Sequence, residues 1–223
     1  MSEGSSHNSK VHLITRNITM NCTKIVLYLC SIGIVFSSIS LLNAKSAQAS
    51  EIELPFESGS IWYVCQGYNG TVSHKGKYAL ALDLTVGNGD FGNNNACWAS
   101  DGNVNRSRGK KVLAPASGTI QWVDKDTICL DIGENRSLMI GHMRVEVSKG
   151  QTVNQDTTLG TVAEADYLPR IGGFAHIHIQ AYKSNKCIHG TSVPFTAEHG
   201  FRFRGVGDLP ASETHWKRAL TRP

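Results

Sequence analysis

The chain has 223 residues, with 22 Lys+Arg, 18 Asp+Glu and a formal net charge of +4. This length accommodates one domain of ordinary size. Without residues 1–49 the balance falls to 18 basic against 17 acidic residues, so the rest of the chain is nearly neutral. Proteins that bind nucleic acid usually carry a basic patch or stripe, and we expect no nucleic-acid partner.

The first fifth of the chain reads as an export signal. An apolar stretch from Ile25 to Leu42 follows Lys24, and the small-x-small pattern of residues 47–49 is typical of signal-peptidase sites. We predict that residues 1–49 are a signal peptide cleaved after Ala49, which places the protein outside the cytoplasm, secreted, periplasmic or in the cell envelope. An uncleaved N-terminal anchor is the alternative, because the 18 residues of this stretch reach the lower limit for a membrane span. Translation from Met20 would give a more ordinary start to the signal.

Four cysteines remain in residues 50–223, an even number in a chain bound for an oxidising compartment. They allow three pairings. We favour Cys65–Cys97 with Cys129–Cys187, because that pairing would tether the long Gly- and Asn-rich loop that contains Cys97.

Residues 50–223 contain short β-rich runs separated by Gly, Asn, Ser and Pro, without sustained helical periodicity. This pattern predicts one all-β domain, a small antiparallel sandwich or barrel-sandwich hybrid with long loops around a cleft. The predicted strands are Ile61–Gln66, Tyr78–Leu84, Lys111–Ala114, Thr119–Val123, Ile128–Ile132, Ser137–Met143, Thr158–Ala163 and Ala175–Tyr182.

The chain beyond the last of these strands is rich in basic residues. We place the core at about 55–185 and interpret the remainder as a basic C-terminal extension that is a solvated tail. Binding to an anionic wall polymer is the alternative. The basic residues in question are Arg202, Arg204, Lys217, Arg218 and Arg222.

Two predicted strands carry histidine and aspartate, residue types that commonly bind metals. Successive side chains of a strand point to opposite faces, so His176 and His178 share one face while Ile177 and Ile179 can enter the core. In the strand Tyr78–Leu84, Asp83 closes a face that is otherwise built of small residues. Each signal alone also fits a polar strand face or a strand-end turn.

Two further histidines lie near predicted strand ends. His74 precedes the strand that contains Asp83, and His142 follows an apolar strand. Alone, each would read as an ordinary structural histidine. Together, these residues meet a known chemical need, because catalytic zinc is typically held by three protein ligands with a fourth position left for water.

The order of these residues resembles the lysostaphin-type zinc metallopeptidases, which include the LytM and β-lytic enzymes and cleave peptidoglycan. The resemblance spans about residues 55–185. It rests on His74 with Gly76, the strand end at 81–84, the segment Val112–Ile120, the triplet Gly141–Met143, the run Val147–Val153 leading to Leu159–Gly160, and the triplet His176–His178.

Carried over residue by residue, the resemblance implies that His74, Asp83 and His178 hold one Zn²⁺ per chain and that His142 and His176 are the catalytic pair. It implies a monomeric zinc endopeptidase whose substrate is peptidoglycan or a Gly-rich peptide, with membrane contact only if the signal segment is retained. Eight residues separate His74 from Asp83, more than in the shorter family members, and Gln180 stands where an acidic residue often follows the triplet. His189, His199 and His215 match nothing in the family.

Zinc lowers the pKa of a bound water to about 7 in favourable sites and polarises a carbonyl as a Lewis acid. A zinc ion held by these residues would therefore supply the chemistry of peptide hydrolysis.

The first alternative to a zinc endopeptidase is a catalytically silent LytM-like domain that binds cell wall or regulates another hydrolase. A second alternative is a lipoyl- or biotin-like carrier, which is disfavoured because this chain has no modifiable Lys in the expected hairpin. A third is a cupin-like metal barrel, which is disfavoured because the Glu that usually follows its histidines is missing here.

Overall fold

The computed structural model describes residues 51–91, 97, 101–187 and 192–223. The predicted signal segment, residues 1–49, lies outside them, as does His189. Ala49–Pro223 forms one compact unit. Among the described residues, no helix is long and apolar enough to span a membrane.

The described part of the chain contains twelve strands, and every pairing between them is antiparallel. Regular helix is limited there to single 3₁₀ turns at Gly76–Tyr78 and Pro169–Ile171. The predicted all-β antiparallel fold is therefore confirmed. The strands are β1 Ile61–Gln66, β2 Ala81–Thr85, β3 Lys111–Leu113, β4 Gly118–Val123, β5 Thr127–Gly133, β6 Arg136–Gly141, β7 Met143–Val145, β8 Thr152–Val153, β9 Thr158–Val162, β10 Ile177–Tyr182, β11 Ser192–Val193 and β12 Ala219–Thr221.

The strands form two sheets. The larger runs in the order β12-β1-β2-β10-β6-β5-β4-β8, with β11 also paired to β10, and the smaller runs β3-β9-β7. The larger sheet is open, since its end strands β12 and β8 are not paired with each other. Its apolar side chains, such as Leu82, Leu84, Ile177 and Ile179, lie in one buried core, so the alternation predicted for β2 and β10 is confirmed.

Two predicted strands differ from the structure. The run Tyr78–Leu84 begins with the end of a 3₁₀ turn, and its strand starts only at Ala81. The run Ser137–Met143 is divided between β6 and β7, because His142 has a φ of 66°, a left-handed conformation that cannot continue a strand. The chain therefore turns at a predicted site residue.

Both predicted disulfides are present. Cys65 in β1 joins Cys97, while Cys129 in β5 joins Cys187 just beyond β10. The first bridge fixes the loop between β2 and β3 to the larger sheet, and the second fixes the chain that follows β10.

The interpretation of the C-terminal residues as a solvated tail is wrong. Phe195, Phe201, Phe203 and Leu220 lie in the main core, and β12 pairs with β1 along Ala219–Thr221. The cause is composition, since the segment alternates its basic residues with large apolar side chains that are stabilised by burial.

Arg222 shows where part of the basic charge goes. Its side chain is only 5% exposed, its Nε lies 3.6 Å from Oε2 of Glu53, and its guanidinium also pairs with Asp156. It donates a hydrogen bond of 2.6 Å to the backbone oxygen of Phe56. This arginine fastens the end of the chain to the start of the compact unit.

Candidate metal centre

Three adjacent strands bring the predicted site residues together. In the register of the larger sheet, His178 of β10 lies opposite Asp83 of β2 on one side and Gly141 of β6 on the other. His142 follows Gly141 directly, His176 directly precedes β10, and His74 lies on the loop before β2. All five predicted side chains therefore lie close together around the three neighbouring interior strands β2, β10 and β6.

The side chains of His74, Asp83 and His178 could hold one metal ion. One nitrogen or oxygen atom from each lies within 4.8 Å of the others. Oδ1 of Asp83 is 3.1 Å from Nε2 of His74 and 2.9 Å from Nδ1 of His178. Two ligands of a tetrahedral zinc ion, each bound at about 2.0–2.1 Å, are roughly 3.3 Å apart, so the donor set and its spacing fit such an ion.

The imidazole of His74 gives an independent test of this fit. It is fully buried, and its Nδ1 donates a 2.8 Å hydrogen bond to the backbone oxygen of Gly67. Its Nε2 lies 3.1 Å from Oδ1 of Asp83, and within the described residues no contact of this nitrogen has the angles of a good hydrogen bond. A buried imidazole nitrogen beside a carboxylate must either carry a proton or bind a cation, because its lone pair and the carboxylate repel each other.

Asp83 is held as an anion on its other side too. Its Oδ2 accepts a 2.7 Å hydrogen bond from Nε2 of Gln66. Gln66 is fixed in turn, since its Oε1 accepts from the backbone N–H of Ser73 and its Nε2 lies 2.7 Å from the hydroxyl of Ser73. This arrangement leaves Oδ1 directed toward His74 and His178.

The pKa shifts within the cluster favour an ionised Asp83 but differ among the histidines. Burial acts to raise the pKa of Asp83, but the imidazoles of His74 and His176 and the hydrogen bond from His178 outweigh it and hold that pKa well below its usual range. Burial acts to lower the pKa of His74, yet the charge of Asp83 raises it. In His178 burial prevails, and its pKa is lowered.

The second pair of histidines stands beside this cluster. The rings of His142 and His176 have centroids 4.6 Å apart. Nδ1 of His176 donates a 2.7 Å hydrogen bond to the backbone oxygen of Phe174, and its Nε2 lies 3.6 Å from Oδ2 of Asp83. Burial lowers the pKa of His176 to about 4. Nδ1 of His142 instead faces the carboxylate of Asp126, 3.1 Å away.

A cleft of about 360 Å³ opens over the histidines. It is large enough for part of a peptide, and its walls mix aromatic, apolar and charged side chains. These include Tyr78, Trp122, Met139, His142, Arg170 and Tyr182.

Gln180 stands in β10 at the position where the family often has an acid. It is fully buried, and its side-chain amide donates a hydrogen bond to the backbone oxygen of Lys77. Lys77 belongs to the 3₁₀ turn within the eight residues that separate His74 from Asp83. The amide thus ties this longer connection to the strand that carries His178.

The remaining described histidines lie elsewhere. His199 hydrogen-bonds the hydroxyl of Thr196, and His215 packs edge-on against Tyr68 and donates to the backbone oxygen of Pro210. Cys97 also lies near Asp83 and His176, but its sulfur is in a disulfide and is no thiolate ligand. Neither Gln66 nor Asp126 was among the residues that the sequence predicted.

Similarity to known proteins is found at the level of solved structures. No family model and no curated protein matches the chain. Solved structures do, among them "A Novel M23 Metalloprotease Pseudoalterin from Deep-sea", at 23% identity over 65% of this chain and 75% of that one, with a TM-score of 0.46.

Two further similar structures are catalytic domains. That of the prophage-encoded M23 protein EnpA from Enterococcus faecalis is 15% identical over 62% of this chain and 92% of that one, with a TM-score of 0.41. That of the antimicrobial peptidase lysostaphin from Staphylococcus simulans is 16% identical over 60% and 86%, with a TM-score of 0.36. These three structural neighbours are M23-type or lysostaphin-type proteins, at low identity and low TM-scores. We base the function on the side chains of the site.

Proposed function

We propose that this chain is an exported zinc endopeptidase of the lysostaphin type that hydrolyses peptide bonds in bacterial peptidoglycan. One observation carries the proposal: Nε2 of His74, Oδ1 of Asp83 and Nδ1 of His178 converge beside a cleft that His178 and His142 line, and the imidazoles of His142 and His176 lie next to them. His74, Asp83 and His178 would hold the zinc. Two nitrogens and one carboxylate oxygen are the ligand set of several catalytic zinc sites.

When bound, zinc supplies Lewis-acid polarisation of the scissile carbonyl and makes a water molecule a competent nucleophile near neutral pH. The protein supplies proton transfer. His142 and His176 each direct Nδ1 to an oxygen acceptor, so in the neutral ring Nε2 is free to accept a proton. One of the pair takes the proton of the attacking water, and the other hydrogen-bonds the developing oxyanion or protonates the leaving amine.

The cleft supports a peptide substrate. Aromatic and apolar side chains line its walls, and backbone groups of a bound peptide could meet the polar side chains at its rim. We propose peptidoglycan or a Gly-rich peptide as the substrate class, and a monomer as the acting species. Two disulfides agree with an oxidising compartment.

The zinc content of the purified protein, together with peptidoglycan dye release, tests the proposal. We expect about one zinc per chain and release that a chelator abolishes and added zinc restores. Zinc without release from walls or from a Gly-rich peptide would contradict the peptidase activity. A folded protein with neither zinc nor release would favour the catalytically silent wall-binding domain.

The hydrogen bond from Gln66 to Asp83 gives a prediction of intermediate size. In Gln66→Ala, Oδ2 of Asp83 loses its 2.7 Å donor, and the carboxylate is no longer held in one orientation. Groups that orient metal ligands typically contribute about 10–100-fold to metal affinity, so we expect zinc affinity to fall by about that factor in a competition titration with a chelating dye.

Gln121→Ala is the matched control, because Gln121 also donates to an aspartate, Asp131, at 3.0 Å but in the β4–β5 hairpin. It should keep the zinc affinity of the unmodified protein. Equal affinities in the two variants would show that Gln66 does not orient the ligand.

A further inference from the structure

His142 has an unusual backbone conformation. Its φ of 66° lies in the left-handed region, which side chains other than Gly seldom adopt. The backbone around it is held by hydrogen bonds, since the N–H of Ala163 donates to the oxygen of His142 and the N–H of Met143 donates to the backbone oxygen of Asp126. The position of His142 is therefore fixed from β9 and from the β4–β5 turn.

Gly141, which precedes His142, permits a close approach of the β4–β5 turn to the strand end at β6. A Cβ added to Gly141 would lie 2.9 Å from the hydroxyl oxygen of Thr127. Thr127 begins β5 and is the neighbour of Asp126 in sequence. Gly141 thus lets the turn that carries Asp126 come close to the ring of His142.

The side chain of Asp126 is fully buried behind His142. Its Oδ2 lies 3.1 Å from Nδ1 of His142, and its Oδ1 accepts a 2.9 Å hydrogen bond from the hydroxyl of Thr127. Burial acts to raise the pKa of Asp126, but the hydrogen bonds from His142, Thr127 and Arg170 outweigh it and bring that pKa to about 2. The acceptor facing His142 is therefore a carboxylate.

Arg170 completes the arrangement from the rim of the cleft. It forms an ion pair with Oδ1 of Asp126, and its Nη1 lies 2.8 Å from Oδ2 of Asp124. Each oxygen of Asp126 consequently has its own partner, Arg170 and Thr127 on Oδ1 and His142 on Oδ2. The carboxylate cannot turn without losing these contacts.

We propose that Asp126 is a positioning residue that holds His142 in a single tautomer and orientation, with the hydrogen on Nδ1 and Nε2 directed into the cleft. A carboxylate that accepts from one imidazole nitrogen fixes the other as the acceptor, and it stabilises the imidazolium that forms during proton transfer. The role of His142 in catalysis rests on the proposed function, whereas its tautomer can be observed without it.

The test is the variant Asp126→Asn, studied by nitrogen NMR of the imidazoles and by steady-state kinetics. In the unmodified protein the neutral ring of His142, assigned with His142→Ala, should carry its hydrogen on Nδ1. In Asp126→Asn that signal should be lost or shared between tautomers. The value of kcat should fall about 10²–10⁴-fold, while KM and zinc content stay unchanged, because Asp126 is buried, does not line the cleft and contacts none of the three proposed zinc ligands.

Glu164→Gln is the matched control. It makes the same carboxylate-to-amide change in another ion pair with an arginine, Arg144, and should leave the His142 signal and kcat unaltered. If Asp126→Asn does not fold, Arg170→Gln replaces it, since Arg170 is 46% exposed. We expect it to broaden the His142 signal and to lower kcat about 10-fold.

Two results would overturn the inference. One is an Asp126→Asn protein, or in its place a folded Arg170→Gln protein, with the tautomer and kcat of the unmodified protein. The other is an unmodified protein in which His142 carries its hydrogen on Nε2. If the unmodified protein hydrolyses no peptide, the proposed function fails by itself, and the NMR result still decides the inference.

Discussion

The His178→Ala variant is expected to bind no stoichiometric zinc and to lose all measurable peptidase activity. In the proposed site His178 is one of three zinc ligands, and its Nδ1 lies 2.9 Å from Oδ1 of Asp83. A site with two remaining ligands loses affinity steeply, because the imidazole nitrogen that leaves is replaced only by water. Elemental analysis after dialysis and the peptidase assay measure the two losses.

His176→Ala provides the informative comparison. Nε2 of His176 is 3.6 Å from Oδ2 of Asp83, the oxygen that accepts from Gln66, whereas the proposed zinc ligands meet at Oδ1. We therefore assign His176 to proton transfer and not to zinc binding. This variant should retain zinc while its kcat falls about 10²–10⁴-fold. His199→Ala, which changes a histidine that hydrogen-bonds Thr196, should retain both zinc and activity. Retained zinc in His178→Ala would refute the ligand assignment.

The second large effect is expected at Gly67, in the loop that follows β1. A Cβ added there would lie 1.6 Å from the backbone oxygen of Thr214, and that oxygen accepts a hydrogen bond from the N–H of Tyr68. Backbone atoms cannot give way as a flexible side chain can. Gly67→Ala should therefore lower the free energy of unfolding by roughly 3 kcal/mol or more, measured by urea denaturation.

The same substitution should weaken zinc binding, because the backbone oxygen of Gly67 accepts from Nδ1 of His74. Gly150→Ala is the control. A Cβ at Gly150 would meet no described atom within 4 Å, and its φ of 83° leaves only the strain of the left-handed conformation, about 1–2 kcal/mol. A Gly67→Ala protein no less stable than Gly150→Ala would contradict the close contact with Thr214.

Strand alternation made much of the sheet predictable from the sequence. The pattern of β10 separates Ile177 and Ile179 from the two histidines, and the structure has both isoleucines in the core. Asp83 was predicted on the same grounds. Disulfides were predicted because an even number of cysteines follows a predicted export signal, and this pairing was favoured because it tethers the loop that contains Cys97.

The partners of these residues could not be predicted, since they depend on register. A bulge between Val64 and Gln66 places Gln66 opposite Asp83. Without the bulge, Cys65 would take that place. Asp126 reaches His142 only because the β4–β5 turn folds back onto the junction of β6 and β7. Neither event leaves a local pattern in the sequence.

The pairing of β12 with β1 makes the assembly of the site depend on residues from both ends of the compact unit. Arg222 and the last strand contact the segment at residues 53–63, and β1 in turn carries Gln66, which orients Asp83. Contacts between residues so far apart in sequence slow folding, because a long loop must close before they form. A nascent chain that has not yet reached residues 219–222 would lack β12 and Arg222, and its sheet would remain incomplete. The complete sheet and the fixed position of Gln66 thus depend on residues 219–222.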